Sequence, residues 1–64
     1  MRVLKIMRAE KGWTQGDAAR VVGVDVNTYS QLERGFRKPH ATTLAKLAKG
    51  FGVSVSELVE EVRV

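Results

Sequence analysis

The chain has no cysteine and only one histidine among its 64 residues. The first absence removes disulfides and thiolate–metal staples. The second removes the usual kinds of zinc site, which need several such ligands. No apolar run approaches the roughly 18 residues of a membrane span. The charged start (Arg2, Lys5 and Arg8) is not followed by the apolar stretch of a secretory signal. There is no low-complexity segment and no period of about 20 to 50 residues that would mark a repeat array. No glycine-rich phosphate loop ending in Gly-Lys-Ser or Gly-Lys-Thr occurs. His40 has neither a cysteine nor a convincing serine–acid arrangement to work with. These absences predict a cytoplasmic protein that is not an enzyme, with no catalytic residues, no metal and no cofactor.

What is present is one small domain, residues 1–64, with an apolar fraction of 44%. That fraction is ordinary for a globular fold. A chain of this length buries only about 60% of the surface its unfolded form exposes. Stability is therefore expected from close helix packing or from a partner subunit. Lys and Arg number 11 against 7 Asp and Glu, a net charge of +4. Ten of those bases but only four of the acids fall in residues 1–56, because Glu57, Glu60 and Glu61 crowd the end. A basic body in so small a domain points to a polyanion, usually nucleic acid.

Glycine and one proline divide the chain into short helical stretches. The first, about 2–11, places Val3, Leu4 and Met7 on one face and ends at Lys11-Gly12. Thr14 can cap a second helix over about 15–22, with Asp17 completing a variant capping box. That helix would bury Ala18, Ala19 and Val22, and Gly16 is an awkward residue in it. Gly23-Val24-Asp25 forms a turn whose aspartate can cap a third helix, about 26–33. Tyr29 and Leu32 of that helix point inward. Val26, Asn27, Ser30 and Gln31 are left outside, a row without Lys or Glu that is unusual for an exposed face. After the basic loop Phe36-Arg37-Lys38-Pro39-His40, a fourth helix over about 41–50 buries Leu44, Leu47 and Ala48, with Phe51 nearby. Ser54 and Glu57 then form a capping box ahead of Leu58, Val59 and Val62. The expected fold is all-α, with five helices. Trp13, Tyr29 and Phe51 are expected in its core.

Residues 14–34 have the layout of a helix-turn-helix, in which the second helix enters the DNA major groove. Ala19 is small where the two helices must cross, and Gly23 allows a left-handed turn. With Leu4, Met7-Arg8, Thr14-Gln15, Ala19, Gly23-Val24, Thr28-Tyr29-Ser30, Leu32-Glu33-Arg34-Gly35, Arg37-Lys38-Pro39 and Phe51-Gly52-Val53 at their spacings, the chain resembles the phage repressor–Cro (XRE) family. The resemblance covers about residues 2–60. It implies a lambda-repressor-like fold and roles for particular residues. Val26, Asn27 and Gln31 match base-reading positions, flanked by Thr28 and Ser30. Gln15, Arg34, Arg37 and Lys38 match contacts to the DNA backbone. Arg8 and Glu33 match a buried ion pair. Three residues depart from the family pattern. Asp25 stands where Ser or Thr is common, Gly16 replaces a charged residue, and Val26 removes a hydrogen-bonding reader.

The apolar residues Val55, Leu58, Val59 and Val62 exceed what one buried face needs. They suggest an interface in a segment spanning about 54–64. The expected partners are double-stranded DNA carrying a palindromic operator and a second copy of the chain, since palindromic sites suit two-fold dimers. Neither a membrane nor a small-molecule effector is expected. The implied role is a small prokaryotic or phage-encoded transcriptional regulator, a repressor associated with the nucleoid. The alternatives are the antitoxin of a toxin–antitoxin pair and a protein-interaction module that keeps the fold without operator binding.

Overall fold

The computed structural model describes residues 1–63, with side chains described through Val59. Within that range there are five α-helices and no strand. They are α1 (Arg2–Glu10), α2 (Gln15–Val22), α3 (Val26–Arg34), α4 (Ala41–Phe51) and α5 (Val55–Arg63). Side-chain caps set the starts of α2, α3 and α5. Thr14 and Asp17 cap α2 reciprocally: the Thr14 hydroxyl accepts from the Asp17 amide at 3.0 Å, and the Asp17 carboxylate accepts from the Thr14 amide at 3.0 Å. Asp25 caps α3 by accepting from the Thr28 amide at 3.0 Å. These bonds, the Thr14 amide for Asp17 and the Thr28 hydroxyl for Asp25 foremost, hold both carboxyls below their ordinary pKa. Ser54 and Glu57 form a longer version at the start of α5, with both amide bonds at 3.4 Å. His40 is the N-cap residue of α4 but makes no side-chain capping bond. Three helices differ from expectation by a residue at their ends. α1 stops at Glu10, α3 continues to Arg34, and α4 passes through Gly50 to Phe51.

α2 packs against both α3 and α4, α4 carries α5, and α1 closes over α3 and α5. The core between them holds Leu4, Ala18, Ala19, Val22, Tyr29, Leu32, Leu47, Ala48, Phe51 and Leu58. Trp13 is only half-buried, with its ring 5.7 Å from that of Phe51. Leu44 is likewise half-buried and packs at the edge of the core. The turn between α2 and α3 places Gly23 at φ 88°, a conformation costly for any residue with a Cβ. Helix α4 presses close against α2 at Gly50. A Cβ added there would lie 3.0 Å from Val22 Cγ2 and 3.2 Å from Val22 Cα.

One expectation is corrected here. Leu58 is fully buried in the core of its own chain, so it has no surface to offer a second copy. It lies on the face of α5 turned toward α1 and α4, and burial there satisfies its apolar side chain. Val55 remains exposed and Val59 half-buried on the same helix. The Val62 side chain lies outside the described residues.

Candidate nucleic-acid interface

The outward face of α3 carries Val26, Asn27, Gln31 and Arg34, all exposed, with Thr28 and Ser30 half-buried at its flanks. Val26 is 47% exposed. The Thr28 hydroxyl is committed locally, donating to Asp25 at 2.6 Å as part of the α3 cap. It keeps its methyl group and its acceptor capacity, but its proton is already in use.

Arg37 departs from a simple backbone-gripping role. Its Nε donates to Gln31 Oε1 at 2.9 Å, bridging the loop after α3 back to the outward face. The Gln31 carbonyl retains a second acceptor site and the amide nitrogen both of its donors. Gln31 therefore stays able to make a two-point contact with a base edge while Arg37 holds it in place. Arg34, Arg37 and Lys38 are all exposed around the end of α3. Beside that end of α3, where Gln15 reaches Glu33, the first turn of α2 begins with Gln15 and Gly16. Nothing but the Thr14 hydroxyl, at 3.7 Å, lies near where a Gly16 Cβ would sit. That turn is open to solvent, and packing does not require the glycine.

Beneath the surface lies a polar joint. The Arg8 guanidinium forks onto Glu33, Nε to Oε2 at 2.9 Å and Nη2 to Oε1 at 3.0 Å, and Nη1 donates to the Trp13 carbonyl at 2.9 Å. Gln15 Nε2 adds a donor to Glu33 Oε1 at 3.3 Å. Burial works to raise the Glu33 pKa, but contacts with Arg8, Tyr29 and Gln15 outweigh it and hold the carboxyl below its usual range. The Tyr29 hydroxyl is buried beside the pair outside hydrogen-bond geometry. Its burial, followed by the nearby Glu33 carboxylate, pushes its pKa up. The joint ties α1, the start of α2 and the last turn of α3 together. Gln15, matched by resemblance to a phosphate contact, here holds one of its amide protons inward on Glu33.

The structure brings the exposed residues of α3 and the basic loop side by side, with Arg37 bonded to Gln31. Sequence reasoning missed the Arg37–Gln31 and Gln15–Glu33 bonds, whose partners are 6 and 18 residues apart. The exposure of Phe36, 76%, is likewise not signalled by any local pattern.

A glycine-containing turn joins α2 to a capped helix whose exterior shows Val26, Asn27 and Gln31 with Arg34 at its end, and three further helices support the pair. That arrangement defines a helix-turn-helix domain. Residues 4–58 match the family described as Helix-turn-helix, and the chain belongs to that family. It is 38% identical over 58 residues to the cryptic phage CTXphi transcriptional repressor RstR of Vibrio cholerae, an alignment covering 91% of this chain and 52% of RstR. It is 38% identical over 56 residues to the HTH-type transcriptional regulator ImmR of Bacillus subtilis, covering 88% of this chain and 44% of that protein. The crystal structure of the clp gene regulator ClgR from C. glutamicum matches with a TM-score of 0.80 at 32% identity, covering 94% of this chain and 78% of that one. The chain thus spans about half the length of RstR and less than half of ImmR. No helix among the described residues is long and apolar enough to cross a membrane.

Proposed function

We propose that this chain binds double-stranded DNA with sequence preference and acts as a transcriptional regulator, most simply a repressor that occludes a promoter. The observation that carries this reading is the outward face of α3. Val26, Asn27 and Gln31 stand exposed without competing charge, and Arg34, Arg37 and Lys38 border them. Asparagine and glutamine can pair with adenine at two points, and valine can pack on a thymine methyl. The arginines and lysine supply the sequence-independent grip on phosphates. Members of the family named as transcriptional repressors and regulators support the same reading. Two copies on a palindromic site would place two such helices in successive major grooves, with Val55 and Val59 as the available contacts between them.

The test is selection of bound genomic fragments, followed by titration of the preferred duplex over a series of salt concentrations. Log K should fall linearly with log salt, by roughly 0.9 per phosphate neutralised. Gln31→Ala should cost about 1–3 kcal/mol on the preferred site and relax preference at one base pair. Arg37→Ala should reduce the salt slope by roughly 1. Because Arg37 also holds Gln31, it should relax preference at that same base pair, and the two losses should not add. A chain that binds no fragment, or binds all fragments equally, would sink this reading.

A further inference from the structure

Four of the five helices close in the same way. A glycine followed by an apolar residue ends α1 (Gly12-Trp13), α2 (Gly23-Val24), α3 (Gly35-Phe36) and α4 (Gly52-Val53). In each case the amide of the apolar residue donates to a carbonyl in the helix's last turns. Trp13 donates to Arg8 at 3.1 Å, Val24 to Ala19 at 3.0 Å, Phe36 to Gln31 at 2.9 Å and Val53 to Ala48 at 2.9 Å. This closure ordinarily sets an apolar side chain back against the helix it ends. Trp13, Val24 and Val53 follow the rule, each packing against the core. Phe36 does not: it is 76% exposed, the most exposed large apolar residue among those described. The residue it would cover, Gln31, is polar and exposed on the outward face of α3.

The ring is not carried by a loose loop. The Phe36 amide bond to Gln31 and a Gly35 amide bond to Leu32 at 3.2 Å pin its backbone to the end of α3. Its surroundings are cationic. The Arg34 guanidinium lies 5.9 Å from the ring centroid, Arg37 is bonded to Gln31, and Lys38 is exposed next in the chain. A second copy of this patch would bring like charge against like charge. The fitting occupant is a polyanion that presents apolar faces between its charges. The sugar–phosphate backbone of duplex DNA has that chemistry, with deoxyribose rings between successive phosphates. We infer that Phe36 is a DNA contact, its ring laid on a deoxyribose between phosphates held by Arg34, Arg37 and Lys38. This rests on the DNA-binding reading and adds to it an apolar contact that is independent of salt. Because its backbone is already held, little main-chain freedom is lost when the ring is covered.

The test is titration of the preferred duplex with the wild-type chain, Phe36→Ala and Arg37→Ala at several salt concentrations, with sedimentation of each free protein. Phe36→Ala should weaken binding about tenfold, for burial of a few tens of square ångströms of ring. The loss should be the same at every salt concentration, with the slope of log K unchanged and the thermal midpoint preserved. Arg37→Ala should flatten the slope instead. Phe36→Ala binding within about twofold of wild type would overturn the inference while leaving DNA binding intact. So would a Phe36→Ala chain that sediments as a monomer where the wild type is a dimer, since the ring would then belong between copies. If the wild-type chain shows no salt-dependent binding to any duplex, both readings fall together.

Discussion

Glu33 is a carboxylate with only 4% of its side chain exposed, yet Arg8 and Gln15 keep it charged. A buried ion pair stabilises little against an apolar pair of the same shape, but breaking one partner away is costly. Arg8→Met should therefore lose about 3 kcal/mol of unfolding free energy, because Glu33 keeps its burial and loses its fork. The double variant Arg8→Met/Glu33→Leu should recover most of that loss in chemical denaturation, and a double as unstable as the single would contradict this account. The same pair sets an acid limit. The unfolded chain takes up the Glu33 proton near 4.5, while the folded chain holds it off to lower pH. Protons then favour the unfolded state, so the contribution of Glu33 is complete above that range and is lost as pH falls through and below it. Denaturation midpoints measured downward from neutral pH should fall there, and fall less steeply in the double variant. Asp17 and Asp25 are depressed as well and leave the double a residual slope. The pairing of Arg8 with Glu33 was readable in the sequence, but only through a family resemblance. Their mutual contact spans 25 residues, and no local pattern encodes it.

At the scale of the helix, the starts and stops were legible because caps act over three or four residues. Thr14, Asp25 and Ser54 each sit where their side chains meet an amide three positions on. What was not legible is the difference between two glycines inside helices. Gly16 lies in the first turn of α2, where an added Cβ would meet only the Thr14 hydroxyl at an ordinary 3.7 Å, and Gly50 lies in α4 hard against Val22. Propensity treats them alike. Gly16→Ala should raise stability by a few tenths to about 1 kcal/mol, since only backbone freedom changes. Gly50→Ala should lower it by about 1–3 kcal/mol through overpacking, because the nearest atoms include the Val22 backbone, which cannot turn aside. Thermal unfolding of the two variants distinguishes them by sign. Equal shifts would mean that α2 and α4 do not approach as described.

At the scale of the molecule, the question is what supplements a small core. Leu58 completes the core of its own chain, so among the described residues Val55, 41% exposed, and Val59 are the apolar side chains with which the proposed α5 interface can be tested. Val55 stands in the first turn of α5, where an acid suits the helix dipole, so Val55→Asp should fold normally. If this surface joins two copies, Val55→Asp should sediment as a monomer and bind a palindromic site more weakly, with its thermal midpoint little changed. A Val55→Asp chain that remains dimeric would remove α5 from the proposed interface.

Local sequence places the boundaries of α1 to α4 to within a residue, and shows which side of α3 faces outward. Both are consequences of short-range chemistry: caps reach a few residues, and helical periodicity assigns faces within one element. The tertiary structure decided the matters that depend on a neighbour from another helix. It turned Leu58 inward, pressed Gly50 against Val22, and joined Arg8, Gln15 and Glu33 into one polar joint. It also placed Phe36 in solvent while the equivalent residues after α1, α2 and α4 packed on the core. The local signal at those four helix ends is the same. Burial depends on which surface lies across from a side chain, and that surface exists only once the helices have packed.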